Sequence, residues 1–280
     1  MRFVRPFPFR QAVTAAQART LLPTNLRTRE FEELVENGFA GVLERARFSA
    51  GVRKVEHLAV IDDGINDLVA GTTDIATQRL RVMQFVRGTG YMAEEGQRGG
   101  LQDLAARRRI DLQLTVGVQQ AQGYGWWKQG QQADILDAMP AQEFLRVEDR
   151  EQPRQNWKQR WNKARAETVV DGATDSSAGR MIALKNHPIW PALSRFGTPY
   201  EPFDFGSGMG VEDTLRSEAI AFELIERDTQ IFPQDRPFNQ GLQATPEVRS
   251  LTLRQLLEAT GLGRFDGKGV FVYTPEEERA

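Results

Sequence analysis

Two histidines, His57 and His187, are the only imidazoles in the chain, and cysteine is absent. Disulfides, thiolate catalysis and cysteine-bound zinc are therefore excluded, and a serine–histidine mechanism would have to use one of these two rings. His187 lies in KNHPIW, between a polar turn and a tryptophan. As a catalytic base it would need Asp204 or Glu212 to orient it, which would make the protein a hydrolase. The competing reading, a turn residue whose ring bonds the backbone, is favoured by the following proline. His57, beside Glu56 on a helix, reads as a surface residue. Asp204, Glu212, Asp213 and Glu218 could together hold a hard cation, but their spacing is not that of an EF-hand loop. Glu212 and Asp213 read better as acids at the start of a helix. No nucleophile, base and orienting group can be assembled, so the expectation is no enzyme, no cofactor and no metal.

The stretch SRFGTPYEPFDFGSGMG, residues 194–210, holds four glycines, two prolines and four aromatic rings. Its end, GSGMG, offers backbone N–H groups of the kind that cradle phosphate. It lacks the Lys-Ser/Thr ending of a P-loop and the dinucleotide-binding spacing, and acids follow it directly. A folded turn is expected instead, with glycines supplying positive φ and aromatics supplying a core. Trp190, Pro199, Tyr200, Phe203, Phe205, Gly206, Gly208 and Gly210 are the residues assigned to this knot.

A second candidate is a stripe of arginine and tryptophan. Arg154, Trp157, Arg160 and Trp161 fall in a segment where basic residues outnumber acidic ones, and such a set can stack and neutralise single-stranded nucleic acid. The plainer reading of tryptophans at i and i+4 is a helix packed on a neighbour. The formal net charge of −2 exerts no general pull on nucleic acid. Arginine dominates the 36 basic residues; a GC-rich genome accounts for that bias, although arginine also suits bidentate contacts with carboxylate and phosphate.

These groups are carried by elements that change character along the chain. Apolar residues at helical spacing predict helices over 28–46, over Val55–Val69 before Gly71, from a Thr73 cap to Gly88, and from about Leu101 toward Gln129. After Met139-Pro140, EFLRVED reads as a strand, the Trp157 segment as a helix, and 180–210 as short strands and turns. TLRSEAIAFELIER and SLTLRQLLEATG read as helices and GVFVYT as a terminal strand. The expected class is α+β, divided into a helical region 1–138, a mixed module 139–235 and an extension 236–280. The start MRFVRPFPFR has no apolar h-region, so no secretory leader is expected, and no apolar run suggests a membrane span.

The order of these pieces resembles the phage Mu F-like minor head proteins, also called phage head morphogenesis proteins. PFPFRQAVTAAQARTLLPTNLRTREFEEL is similar to that family's opening. RRRIDLQLTVGVQQAQGYGWWKQGQ resembles its long helix, and MPAQEFLRVEDREQPR its strand and arginine-proline turn. LKNHPIWPALSRFGTPYEPFDFGSGMG stands where the family has its closing knot. The resemblance spans about residues 6 to 230 and rests on the order of several motifs.

Two departures stand out. Many members place a histidine after the arginine-proline turn, where Pro153 is here followed by Arg154, Gln155 and Asn156. Many end the knot with Cys-x-Cys, where Gly208 and Gly210 stand here. The resemblance thus implies a knot held without metal, by packing of Tyr200, Phe203, Phe205 and Met209 alone.

The resemblance further implies a structural virion protein, a minor head component inside the head near the portal vertex, assembled in the bacterial cytoplasm. Its implied partners are the portal protein and the major capsid or scaffolding protein, with DNA as a candidate contact during packaging or ejection. Arg2, Arg5 and Arg10, and the tail strand with Phe271 and Tyr273, are the partner-contact candidates, the strand by adding to a partner sheet. Some relatives carry a C-terminal toxin domain; the tail from Asn239 is too short for one.

Overall fold

The structure, a computed structural model, describes residues 9–24, 26–36, 44, 46–151 and 153–234, and beyond them 243–244, 254–255, 258–259, 263–267 and 271–273. It is α+β, with nine α-helices and three small sheets among the described residues. The chain divides into two units, Met1–Gln122 with Pro237–Ala280, and Gly123–Arg236.

The first unit is built on helices. α1 (Arg10–Gln17) is followed by α2 (Thr28–Leu34), α3 (Val55–Val69) and α4 (Ile75–Gly88). A longer helix, α5 (Arg107–Gly130), contributes its first turns to this unit. Ala12, Ala16, Ile61, Ile65, Val69, Val82, Val86, Ile110 and Leu114 form one buried cluster, the helical stripes meeting as their spacing requires. Short strands β1 (Thr20–Leu21) and β2 (Ala46–Arg47) pair in parallel.

Several boundaries differ from those read in sequence. α2 ends at Leu34 and Ala46 belongs to a strand; residues 37–43 of the expected long helix lie outside the described residues. The cap of α4 is Asp74 rather than Thr73, its carboxylate accepting from the N–H groups of Ala76 and Thr77. α5 starts at Arg107 rather than near Leu101, because the Asp103 carboxylate accepts from the N–H groups of Gly99 and Ala105 and holds a turn there.

The second unit opens with the last turns of α5 and α6 (Ala133–Ala138), then β3 (Ala141–Arg146), α7 (Trp157–Thr168), β4 (Ile182–Leu184), α8 (Ile189–Leu193), β5 (Met209–Thr214) and α9 (Arg216–Ala221). β3 is the middle of an antiparallel sheet in the order β4-β3-β5, with Ala141 facing both Leu184 and Thr214. Phe144, Trp157, Trp161, Ala183, Ile189, Trp190, Leu193, Phe203 and Met209 form its core.

The boundary falls inside α5, not at residue 138, for a local reason. Tyr124 and Trp127 on its last turns lie 5.7 Å and 6.2 Å, ring centre to ring centre, from Tyr200 of the knot. Gly123 faces the Glu201 backbone so closely that an added Cβ would lie 2.1 Å from its carbonyl oxygen. Those turns belong to the module they pack on.

The tail contains a third sheet, antiparallel in the order β6-β8-β7, from β6 (Gln243–Ala244), β7 (Gly263–Phe265) and β8 (Phe271–Tyr273). β8 is its central strand, Phe271 facing Ala244 on one side and Phe265 on the other. The proposed partner-adding strand of Phe271 and Tyr273 is corrected on that ground, since both its edges are already paired within the chain. Most of the helix expected over SLTLRQLLEATG lies outside the described residues, as do Arg2 and Arg5. Arg10 opens α1 and is exposed.

Candidate functional site

The knot closes around a buried carboxylate. Asp204 is 4% exposed and sits between Phe203, fully buried in the aromatic core, and Phe205, half-buried at the surface. Arg160 on α7 places Nη1 2.8 Å from Asp204 Oδ2. Arg154 pairs with the same oxygen, and Arg195 Nη1 approaches Oδ1 at 3.4 Å. The Phe205 N–H donates to Oδ1 at 2.8 Å. Burial alone would push this carboxyl up; the hydrogen bond from Arg160 and the charge and hydrogen bond of Arg154 reverse that and hold it below the usual carboxylate range.

The same guanidinium groups tie the loop's backbone. Arg160 Nη2 donates to the Leu193 carbonyl at 2.9 Å and Arg154 Nη2 to the Phe205 carbonyl at 3.2 Å. Arg146 donates to the Ser207 carbonyl at 3.1 Å. Aromatic packing therefore does not hold the knot alone: arginines from three segments converge on one aspartate. Beside this clamp lies the edge-to-face pair Phe196–Phe205.

The knot's glycines serve two different needs. Gly206 and Gly208 have φ of +55° and +66°, the left-handed region that side chains avoid. Gly210 instead lies in β5, where an added Cβ would meet Glu201 Oε1 at 2.5 Å and Val147 Cγ2 at 2.7 Å. The space it leaves admits the Glu201 carboxylate, which accepts from the Val211 N–H at 2.8 Å and is pushed up by burial. Trp190, Pro199 and Tyr200 are buried as expected for the knot.

The arginine–tryptophan stripe is turned inward. Trp161 is fully buried and its Nε1–H donates to the Thr174 carbonyl at 2.7 Å. Trp157 is 4% exposed, edge-on to Phe144 at 5.2 Å, with the Arg160 guanidinium 4.1 Å from its ring centre. Base stacking needs an open ring face, and neither ring has one, so the nucleic-acid assignment to Arg154, Trp157, Arg160 and Trp161 is corrected to one of packing and loop clamping.

His187 is also committed. Its Nδ1 accepts the Ile189 N–H at 3.0 Å, which leaves the proton on Nε2, donated to the Val170 carbonyl at 3.0 Å. Burial holds this imidazole below its usual range, chiefly neutral near pH 7. With Asp204 occupied by arginines and Glu212 exposed on β5, the hydrolase arrangement is not assembled.

Three of the four acids proposed for a cation face the chain's own cations instead. Asp204 is clamped as described, Asp213 lies 2.7 Å from Lys185 Nζ, and Glu218 lies 2.9 Å from Arg180. Glu212 and Asp213 stand on a strand, not at a helix start. Among the described residues no group of three histidine, cysteine or acidic side chains could hold a metal, and no helix is long and apolar enough to cross a membrane.

Two buried groups escape the sequence reading, which leaves Lys185 unremarked and places His57 at the surface. Lys185, 3% exposed, sits at the end of β4 against Asp213. His57, expected at the surface, is 5% exposed in the first unit and its Nε2 has no partner. The signal for His57 was present: positions 57, 58, 61 and 65 form one face of α3. Compared with protein-family models, with curated proteins and with solved structures, the chain matches none.

Proposed function

We propose that this protein is a non-enzymatic structural component of a phage head, a minor head or head morphogenesis protein acting at the portal or inner capsid during assembly and DNA packaging or ejection. The observation that carries this reading is the way residues 141–214 spend their chemistry. The strand, the tryptophan helix and the knot share one aromatic core. The polar side chains that catalysis would require are occupied within the chain: Asp204 by arginines, His187 by backbone groups, and Lys185 stands 2.7 Å from the Asp213 carboxylate. A module so built presents a rigid surface. Its arginine-rich edge at Arg154 and Arg195, with Phe196 and Phe205 beside it, suits an acidic protein surface of the portal or capsid.

The experiment is co-expression of the full chain with the portal protein of its own genome, followed by size exclusion, with DNA binding measured on the same fractions. A stable complex with the portal protein, free of DNA, supports the reading. A chain that elutes alone and binds DNA with an affinity falling steeply with salt overturns it in favour of a nucleic-acid-binding protein.

A further inference from the structure

Lys185 is the one buried lysine among the described residues. Its N–H donates to the Pro140 carbonyl at 2.9 Å, which fixes the backbone where β4 ends. Gln142 of β3 stands opposite Ala183 on one side and Asp213 on the other, so those two residues share a face of the sheet, the one turned to the aromatic core. Lys185, two residues beyond Ala183, sends its side chain across β3, and its Nζ ends 2.7 Å from Asp213 Oδ1. This contact is not a hydrogen bond: Nζ has no partner in hydrogen-bond geometry and essentially no exposed surface. Gly130, at the end of α5, covers it, an added Cβ there lying 3.5 Å from Nζ.

A buried ammonium that no hydrogen bond supports gains little from a nearby carboxylate, because desolvation offsets their attraction. The same arrangement suits a reaction between the two. With a C–O bond of about 1.2 Å, Asp213 Cγ lies within about 4 Å of Nζ, near the separation at which held groups react. Both groups are carried by paired strands, so amine and acid are already brought together by the fold. Asp213 keeps a side open to solvent, with 42% of its side chain exposed, and a released water has a way out there.

We propose that Lys185 and Asp213 join in an isopeptide bond once the sheet has formed. Nζ passes one proton to the Asp213 carboxylate, and the uncharged amine attacks Cγ. The Nζ–Cγ bond forms, the Cγ–O bond to the protonated oxygen breaks, and the hydroxyl leaves as water with a second Nζ proton. The product amide keeps one N–H; nothing is oxidised or reduced, and no co-reactant enters. The bond staples β4 to β5 across β3 and encloses α8 and the knot in a covalent ring, which restricts the unfolded chain as a disulfide does. It is a single event within the chain and acts on no outside substrate, so it stands apart from the head-protein reading.

The test is the intact mass of the full chain, denatured after several days folded at neutral pH, together with a tryptic map. The expected mass is one water below that of the sequence. Trypsin should leave Lys185 uncut and release Met181–Arg195 joined to Phe196–Arg216. Asp213→Ala and Lys185→Arg are expected to keep their full mass and to give these two segments unjoined. The parent protein decides the matter whether or not the variants fold. Its full mass overturns the proposal, and so does a water lost elsewhere in the chain while trypsin still cuts after Lys185.

Discussion

Arg160 Nη1 lies 2.8 Å from Asp204 Oδ2 while the same guanidinium covers the face of Trp157, so one side chain closes the knot and seals the aromatic core beneath it. The carboxylate is the shared element, since three arginines answer to it. Asp204→Asn leaves those guanidinium groups facing a neutral amide and is expected to destabilise the protein by roughly 2–4 kcal/mol, below the range for fully buried pairs because the arginines are partly exposed. Arg154→Ala, with Arg160 still in place, should cost about 1 kcal/mol or less. Urea unfolding of the two variants checks the order; equal losses would mean that the carboxylate is not the hub. The pH dependence has a definite sign. The folded-state pKa of Asp204 is depressed, so its contribution is present above the ordinary carboxylate range and is lost as the pH falls through the folded value.

Two glycines of the knot separate conformational need from spatial need. Gly206 has φ +55° and nothing within 4 Å of an added Cβ, so Gly206→Ala should cost about 1 kcal/mol, the strain of the left-handed region alone. Gly210→Ala has no such strain but drives a methyl group into Glu201 and Val147, and overpacking of that kind costs about 1–3 kcal/mol. A second change distinguishes them: Gly210→Ala combined with Glu201→Ala should recover part of the loss, and the same partner change should do nothing for Gly206→Ala. Thermal melts of the four variants read this directly.

What the sequence made legible follows from how local each signal is. α3 and α4 are legible because their apolar stripes repeat within one helix and a glycine marks an end. The tryptophan pair of α7 is legible as a packed face for the same reason. β5 is not, because Met209 and Gly210 are both buried and Glu212 and Asp213 both exposed, which erases the alternation that identifies a strand. The arginine clamp is illegible because its partners are remote in sequence, Arg160 standing 44 residues from Asp204. Nothing in the local pattern distinguishes a clamping arginine from a solvated one. The central position of β8 is hidden likewise, since a terminal strand reads as an edge until its partners from 243–244 and 263–265 are placed.

His57 gives a pH dependence of its own. Burial, and then the charge of Arg109, push its pKa from 6.5 down to about 4. Between those values the unfolded chain binds a proton that the folded chain does not, so stability rises with pH across this window and is lost as pH falls from 6.5 toward 4. The full effect is on the order of 3 kcal/mol. His57→Phe keeps an aromatic ring beside Phe85 and cannot titrate, so its stability between pH 6.5 and 4 should fall less steeply than that of the parent. Urea unfolding of both proteins at pH 7 and pH 5 measures the difference, and parallel losses would show that His57 protonates in place.

The burial of the tryptophans can be read by fluorescence. Of the five, Trp126 is 55% exposed, whereas Trp127, Trp157, Trp161 and Trp190 are all 8% exposed or less. Iodide is charged and reaches only open rings, so it should quench a minor fraction of the emission, and Trp126→Phe should abolish nearly all of that fraction. Single-stranded DNA should leave the emission of the Trp126→Phe protein unchanged, because no base can reach a ring enclosed by Phe144, Thr174 and Arg160. Quenching by DNA in that variant would place Trp157 or Trp161 at the surface and return the arginine–tryptophan stripe to the role of a nucleic-acid contact.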